Sequence, residues 1–281
     1  MNGPDLREVA RFLRQRREMG LPPLVLGETP REALLAFARE LARRLPEEEA
    51  GAAVQPPPSA SRRPPARPAP TPEPAPATSG SGAAAPASDT PAPSLPDLST
   101  LDYDGLRELA LGCTRCGLAE TRTQVVFSDG NPDARLVVVG EAPGANEDRT
   151  GLPFVGQAGQ LLDLMLASVD LSREQSVYIC NVLKCRPPGN RNPQPDEIRA
   201  CSPFLKRQLA LVQPEALLAV GTFAAQLLTS RDAPLGKLRG EVHSYEGIPL
   251  VVTYHPAALL RNSGWVQAAW DDLQLLRQVM D

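Results

Sequence analysis

The sequence predicts a layered α/β domain built on an open parallel sheet, and three observations carry that prediction. Four short apolar runs have strand length: Leu136–Val139, Val177–Cys180, Ala216–Val220 and Leu250–Tyr254. Stretches of helical periodicity alternate with them, at Ala158–Ser168, Pro195–Leu211, Phe223–Thr229 and Val266–Met280. Each apolar run also stops at a residue fit for chemistry. The first leads into Gly140-Glu141-Ala142-Pro143-Gly144, the second into Asn181, the third into Gly221 and the fourth into His255-Pro256. Ligands of open parallel sheets bind beyond the carboxyl ends of the strands, so Glu141, Asn181 and His255 are expected around one cleft.

The elements before this domain are of another kind. In residues 1–50, Leu6, Val9, Phe12 and Leu13, then Leu34, Leu35, Phe37, Leu41 and Leu45, recur near a helical period among many Arg and Glu, which predicts a short helical segment with little core. Residues 51–98 are Pro, Ala, Ser and Thr with almost nothing to bury; 14 of the 31 prolines lie between Pro56 and Pro96, so this stretch is expected to be a disordered tether. The layered α/β domain is expected at residues 99–281. No run reaches the roughly 18 apolar residues of a membrane span, and the N-terminus lacks the pattern of a secretory signal, so a cytoplasmic protein is expected. The formal net charge of −4 does not advertise a nucleic-acid binder; a local basic rim would have to supply phosphate contacts.

The five cysteines are the strongest chemical signal. Cys113-Thr114-Arg115-Cys116 is a C-x2-C pair, and Cys185 and Cys201 complete a four-sulfur set. Zinc ribbons usually bring two such pairs, whereas 15 residues separate Cys185 from Cys201, which favours an iron-sulfur cluster over zinc or unconnected core thiols. Cys180 lies inside an apolar strand and reads as core.

The turn at Gly140–Gly144 fits neither nucleotide-binding glycine pattern. Its sequel, Glu147 to Gly156, is a long polar, glycine-bearing loop that offers Phe154 as a platform for a planar ligand. His255 ends a strand and precedes Pro256. The following Ala257-Ala258-Leu259-Leu260-Arg261-Asn262 suits an apolar tip that enters a groove and wedges bases apart. His243 has no such context.

Across about Leu109 to Asp281 the chain resembles the family four uracil-DNA glycosylases, the thermostable iron-sulfur type. The matching pieces are C-T-R-C at Cys113–Cys116, G-E-A-P-G at Gly140–Gly144, G-L-P-F-V-G at Gly151–Gly156, N-V-L-K-C-R-P-P-G-N at Asn181–Asn190, Cys201, and Y-H-P-A-A-L-L-R-N at Tyr254–Asn262. The resemblance implies a three-layer α/β/α sandwich over a four-stranded parallel sheet, a 4Fe-4S cluster on Cys113, Cys116, Cys185 and Cys201, and removal of uracil from DNA. Cys180 stands where similar proteins often have a hydroxyl residue.

Elementary chemistry supports that activity. The base must leave the stack before its glycosidic bond can be cut. An amide at Asn181 can donate to uracil O4 and accept from N3–H, the reverse of what cytosine presents. Phe154 would stack on the extruded ring, and Glu147 is expected to crowd the methyl group of thymine. Bond breaking puts negative charge on uracil O2, where His255, neutral and donating, is the expected stabiliser. Glu141 is expected to counter the cationic sugar or to cap a helix. Related glycosylases of another family carry an aspartate where this chain has Ala142, which shifts water placement to a backbone carbonyl or to Asn190. Lys184, Arg186, Arg191 and Arg199, with Lys237, Arg239 and Arg261, are candidates for the basic rim facing DNA. Uracil-containing DNA, single- or double-stranded, is thus the expected partner of a monomeric enzyme with no membrane contact. A protein partner is expected for the N-terminal segment. Two rival readings are a uracil trap without turnover, whose basic insertion after the second motif is missing here, and a redox or zinc protein for another planar ligand.

Overall fold

The computed structural model describes residues 96–281. The helical segment expected at 1–50 and all of the expected tether up to residue 95 lie outside the described residues. The described chain starts with a single 3-10 turn, Leu98–Thr100, where the Asp97 carboxylate accepts the Ser99 N–H at 2.9 Å. Helix α1 (Tyr103–Leu111) is capped in the same way by Asp102, which accepts from Gly105. Helix α2 (Leu118–Thr121) and strand β1 (Asp129–Gly130) follow.

The four apolar runs become β2 (Leu136–Gly140), β3 (Val177–Asn181), β4 (Ala216–Val220) and β6 (Ile248–Thr253). They pair in parallel in the order β3-β2-β4-β6. The sheet has six strands, because β1 and β5 (Val242–Tyr245) add antiparallel edges. The expected four-stranded sheet is therefore the centre of a wider one. Neither edge announced itself: β1 is two residues long, and β5 is half exposed and polar.

The sheet is covered on both faces, which is why its strands read as continuous apolar runs. Leu136, Val138, Ile179, Leu218 and Val251 face one way, onto α4 (Gln157–Ala167), α8 (Pro256–Arg261) and α9 (Val266–Met280). Val137, Val139, Cys180, Leu217, Ala219 and Val252 face the other way, onto α5 (Pro195–Val212) and α6 (Thr222–Thr229). The period-two alternation thus divides one sheet between two cores and makes three layers. A third cluster, Leu106, Ala110, Phe127 and Phe204, seats α1 on α5. Among the described residues, two further short α-helices are α3 (Ala145–Thr150), which overlaps the stretch expected to be a loop, and α7 (Leu235–Leu238), with 3-10 turns at Pro188–Asn190 and Ser263–Trp265.

From β2 the chain crosses to β3 on one side, then returns past β2 to β4 on the other. The crevice of such a sheet opens where the direction reverses, at the carboxyl ends of β2 and β4. Among the described residues no helix is long and apolar enough to cross a membrane.

Candidate active site

The parallel register sets Gly140, the last residue of β2, directly beside Asn181, the last of β3. The pairing runs on past the strand ends: Val182 and Leu183 donate their N–H groups to the carbonyls of Gly140 and Glu141 at 2.9 and 3.0 Å. Over the Gly140 Cα lie two side chains, Asn181 and Phe154. A Cβ at position 140 would stand 2.3 Å from Asn181 Oδ1 and 2.6 Å from the Phe154 ring, so only glycine permits this approach. Asn181 is 2% exposed, and its Oδ1 is buried with no hydrogen-bond partner. An orphaned amide oxygen costs about 1–3 kcal/mol, which a bound donor would recover.

Phe154 holds its ring there at some strain, with φ +54° in the left-handed region. The loop around it explains how. Arg173 donates to the carbonyls of Pro153 and Phe154 at 2.9 and 2.8 Å, and pairs with Asp129 and Asp163. Glu147 accepts the N–H groups of Gly144, Val155 and Gly156 at 3.1, 2.9 and 3.0 Å. A Cβ on Gly159 would meet the Phe154 carbonyl oxygen at 1.8 Å, so α4 can pass close beneath the loop only with glycine there.

His255 arrives from the end of β6. Its ring stacks with that of Phe154, centroids 5.5 Å apart and planes 28° apart. Its Nδ1 accepts the Ala257 N–H at 3.2 Å, which puts the ring proton on Nε2. Burial, with the Arg261 charge adding to it, pushes its pKa down to about 4, so the imidazole is neutral at pH 7. Gly221, at φ +96° after β4, makes room for it: a Cβ there would lie 3.2 Å from that of His255. Burial alone raises the pKa of Glu141 to about 7. Asn181 and Phe154 therefore meet over Gly140, with His255 stacked on Phe154, and this grouping brings together an aromatic ring, an unpaired acceptor and a neutral donor.

Cys113, Cys116, Cys185 and Cys201 line one cavity together with Arg115, Arg122 and Lys184. Burial raises the pKa of Cys116, Cys185 and Cys201. Arg122 Nη1 donates to Cys185 Sγ at 3.3 Å and to the Cys113 carbonyl at 2.6 Å, and the Lys184 backbone N–H donates to Cys201 Sγ at 3.3 Å. Among the described residues no group of three or more His, Cys, Asp or Glu is placed to grip a single metal ion as it stands. The four thiols surround a space rather than converge on a point. Cys180 is fully buried among Val139, Val182 and Leu217, as core.

A sequence model of the Uracil DNA glycosylase superfamily matches residues 127–274. The type-4 uracil-DNA glycosylase of Archaeoglobus fulgidus is 44% identical over 171 residues, 58% of this chain and 84% of that one. The one from Thermotoga maritima is 46% identical over 152 residues, 53% of this chain and 79% of its own. The chain belongs to the type-4 uracil-DNA glycosylases. A type-5 uracil-DNA glycosylase of Pyrobaculum aerophilum is more distant, 35% identical over 151 residues, 48% of this chain and 66% of that one.

Several readings of the glycosylase sequence change on the structure. The apolar tip after His255 is helix α8; Leu259 and Leu260 are buried against α4 and cannot wedge a duplex. Lys184 is 2% exposed and donates to the Asn181 carbonyl at 2.7 Å, so it is not part of a basic rim. Arg239 pairs with the buried Asp272 at 2.7 Å and lies over the Tyr254 ring, which in turn stacks on Trp265. Arg191 forks onto Glu197 at 2.9 and 2.5 Å, holding the N-terminus of α5. Arg186 Nε donates to Asn190 Oδ1 at 2.7 Å. Arg199, Lys237 and Arg261 are exposed. Ala142 packs partly buried against the core face shared with α5 and α6. Sequence reasoning missed Arg173 and Gly159, and, though it marked the turn at Gly140, missed that glycine's role as the floor beneath Asn181 and Phe154. The two glycines carried a signal, a glycine within a helical stretch and a glycine ending a strand.

Proposed function

We propose that this chain flips uracil out of DNA and hydrolyses its N-glycosidic bond, leaving an abasic site as the first step of base excision repair. The observation that carries the reading is the unpaired Asn181 Oδ1 beside the Phe154 ring. Uracil slides onto Phe154, its N3–H donates to Oδ1, and the amide nitrogen donates to O4. Cytosine brings an acceptor at N3 and a donor at N4, and leaves the same buried groups unmatched. The carboxylate of Glu147, bound by three N–H groups, fixes the wall on which a 5-methyl group would press.

As the bond stretches, negative charge collects at O2. His255 Nε2–H, fixed by the N-terminal turn of α8, meets it without reorganisation, a contribution of roughly 3–4 kcal/mol for such a donor. A neutral imidazole suits this task because it need not give up its proton. Glu141, where ionised, offsets the oxocarbenium charge on the sugar. The attacking water needs orientation more than a strong base. Ala142 supplies no carboxylate, and Asn190 Oδ1 already accepts from Arg186, so a backbone carbonyl of the Gly140–Pro143 turn and the Asn190 amide nitrogen are the groups left to hold it.

Cys113, Cys116, Cys185 and Cys201 would hold a 4Fe-4S cluster, for which four thiols around one cavity with two N–H donors aimed at sulfur are a fitting set. When bound, the cluster cross-links the α1–α2 connection, α5 and the loop after β3, a structural service to the DNA-facing loops. The reading assigns phosphate contacts to Arg186 and Arg261, with Arg191 bracing the same loop, in a monomer that accepts uracil in single- or double-stranded DNA.

Release of free uracil from a single-stranded oligonucleotide tests the activity. Wild type releases the base, His255→Ala is slowed about 10²–10³-fold in kcat, and Asn181→Asp loses preference for uracil. Binding without release in the wild type would leave a uracil trap instead. A brown protein with about four irons per chain supports the cluster; a colourless zinc protein overturns it.

A further inference from the structure

We propose that the Lys184 ammonium is a buried counter-charge of the four-cysteine cluster, alongside Arg122, and, through its hydrogen bond to the Asn181 carbonyl, the positioning residue that joins the cluster to the uracil site. The proposal rests on the cluster reading above and goes beyond it by linking two sites otherwise described apart.

Lys184 is 2% exposed, and no carboxylate among the described residues pairs with it. Its single hydrogen bond from Nζ goes to a neutral carbonyl, Asn181 O, at 2.7 Å. A buried ammonium left in that condition is costly, because a charge removed from water needs an opposite charge as well as hydrogen bonds. The groups that face it are thiols. Lys184 lines the cavity of Cys113, Cys116, Cys185 and Cys201. Four thiolates on an iron-sulfur cluster carry a net negative charge, which would face Lys184 from one part of the cavity wall and Arg122, on Cys185 Sγ, from another.

The same residue holds both sites by geometry. Its backbone N–H donates to Cys201 Sγ at 3.3 Å, while Cys185 is its immediate neighbour in the chain. Its ammonium reaches back three residues to the carbonyl at the end of β3, the residue whose amide faces Phe154 over Gly140. With the cluster bound, the ammonium is held between sulfur and carbonyl, and the end of β3 is fixed. Without it, the buried charge has reason to leave, and the Asn181 backbone loses its anchor.

The test uses the full chain as wild type, Lys184→Met and Lys184→Arg, with two readouts. The first is the half-life of the visible absorption under excess chelator. Lys184→Met should bleach about tenfold faster or more, the size expected for loss of an outer-shell partner, and Lys184→Arg should restore most of the lifetime. The second is uracil release: Lys184→Met should raise KM about tenfold and narrow the preference for uracil over cytosine, with a smaller change in kcat. Bleaching at the wild-type rate overturns the counter-charge. Fast bleaching with unchanged KM and preference overturns the link to the pocket. Should Lys184→Met fail to fold, the wild type decides: iron stripping must raise KM in step with lost absorption while far-ultraviolet circular dichroism holds, and an unchanged KM overturns the link. A wild type that never shows the absorption refutes the cluster itself, a result distinct from all of these.

Discussion

Gly140 is where backbone, base recognition and stacking meet, so one methyl group there should be costly. An alanine Cβ would intrude on both Asn181 Oδ1 and the Phe154 ring, at 2.3 and 2.6 Å. Neither side chain can yield without leaving the slot. Gly140→Ala should lower kcat/KM by about 100-fold or more, while overpacking costs about 1–3 kcal/mol of stability; a variant that melts normally and excises normally would show that the slot is not the site. The two titratable groups of the pocket divide the pH range between them. His255, with its pKa pushed down to about 4, adds no titration step near pH 6.5, where an ordinary histidine would titrate. Glu141 titrates near 7, so kcat/KM should rise through neutrality as its carboxylate ionises, and Glu141→Gln should remove that limb. Its effect on stability has the opposite sense. The folded protein binds a proton at Glu141 that the unfolded chain has released between pH 4.5 and about 7, so stability falls as pH rises through that window. Glu141→Gln should therefore melt higher than wild type at pH 8, by an amount on the order of 3 kcal/mol or less, and equally at pH 4. Melting curves at the two pH values check this.

At the scale of elements, the four central strands and helices α4, α5, α6 and α9 were legible because each buries a continuous apolar surface, and a strand buried on both faces leaves an unbroken run in the sequence, whereas the nine-residue α1 was not foreseen. The ends of β2, β3 and β6 were legible for the same reason: the apolar run stops abruptly at Gly140, Asn181 and Thr253 before His255. What stayed hidden is the use of charge inside the fold. Lys184, Arg191 and Arg239 look in sequence like solvated or DNA-facing groups, and Glu147 like part of the wall around the base, yet each is engaged with a backbone or a buried partner brought near by the fold. Leu259 and Leu260 read as a protruding tip because their helix is only six residues long and its contact with α4 is tertiary. The loop from Gly144 to Gly156 shows what such internal bonds achieve. It keeps Phe154 at positive φ by two carbonyl contacts from Arg173 and three amide contacts to Glu147. Arg173→Met removes the first set without touching the base. It should raise KM about tenfold, with kcat less affected, and should also lower the melting temperature; a KM unchanged in a folded variant would mean the Phe154 platform holds itself.

At the scale of the whole molecule, a chain of net charge −4 must bind a polyanion through a small set of free cations. Fold-internal bonds have already taken Lys184, Arg191 and Arg239. Arg199, Lys237 and Arg261 remain exposed, and Arg186 is half-buried with one of its nitrogens on Asn190. Arg186 and Arg261 follow β3 and β6, on the same carboxyl-end side of the sheet as the pocket. Each phosphate neutralised contributes about 0.7 to the salt slope on single-stranded DNA. If Arg186, Arg199, Lys237 and Arg261 each neutralise one phosphate, these four together contribute about 3 to the magnitude of the slope of log affinity against log salt for a uracil oligonucleotide bound to the His255→Ala variant. Arg261→Ala should flatten it by about 0.7. Arg191→Ala should leave the slope alone and lower the melting temperature, because its guanidinium holds the buried Glu197 and the start of α5. A slope that flattens when Arg191 is removed would mean that DNA breaks the Arg191–Glu197 pair to recruit a cation, and that the rigid loop surface drawn from the unbound fold is rearranged in the complex.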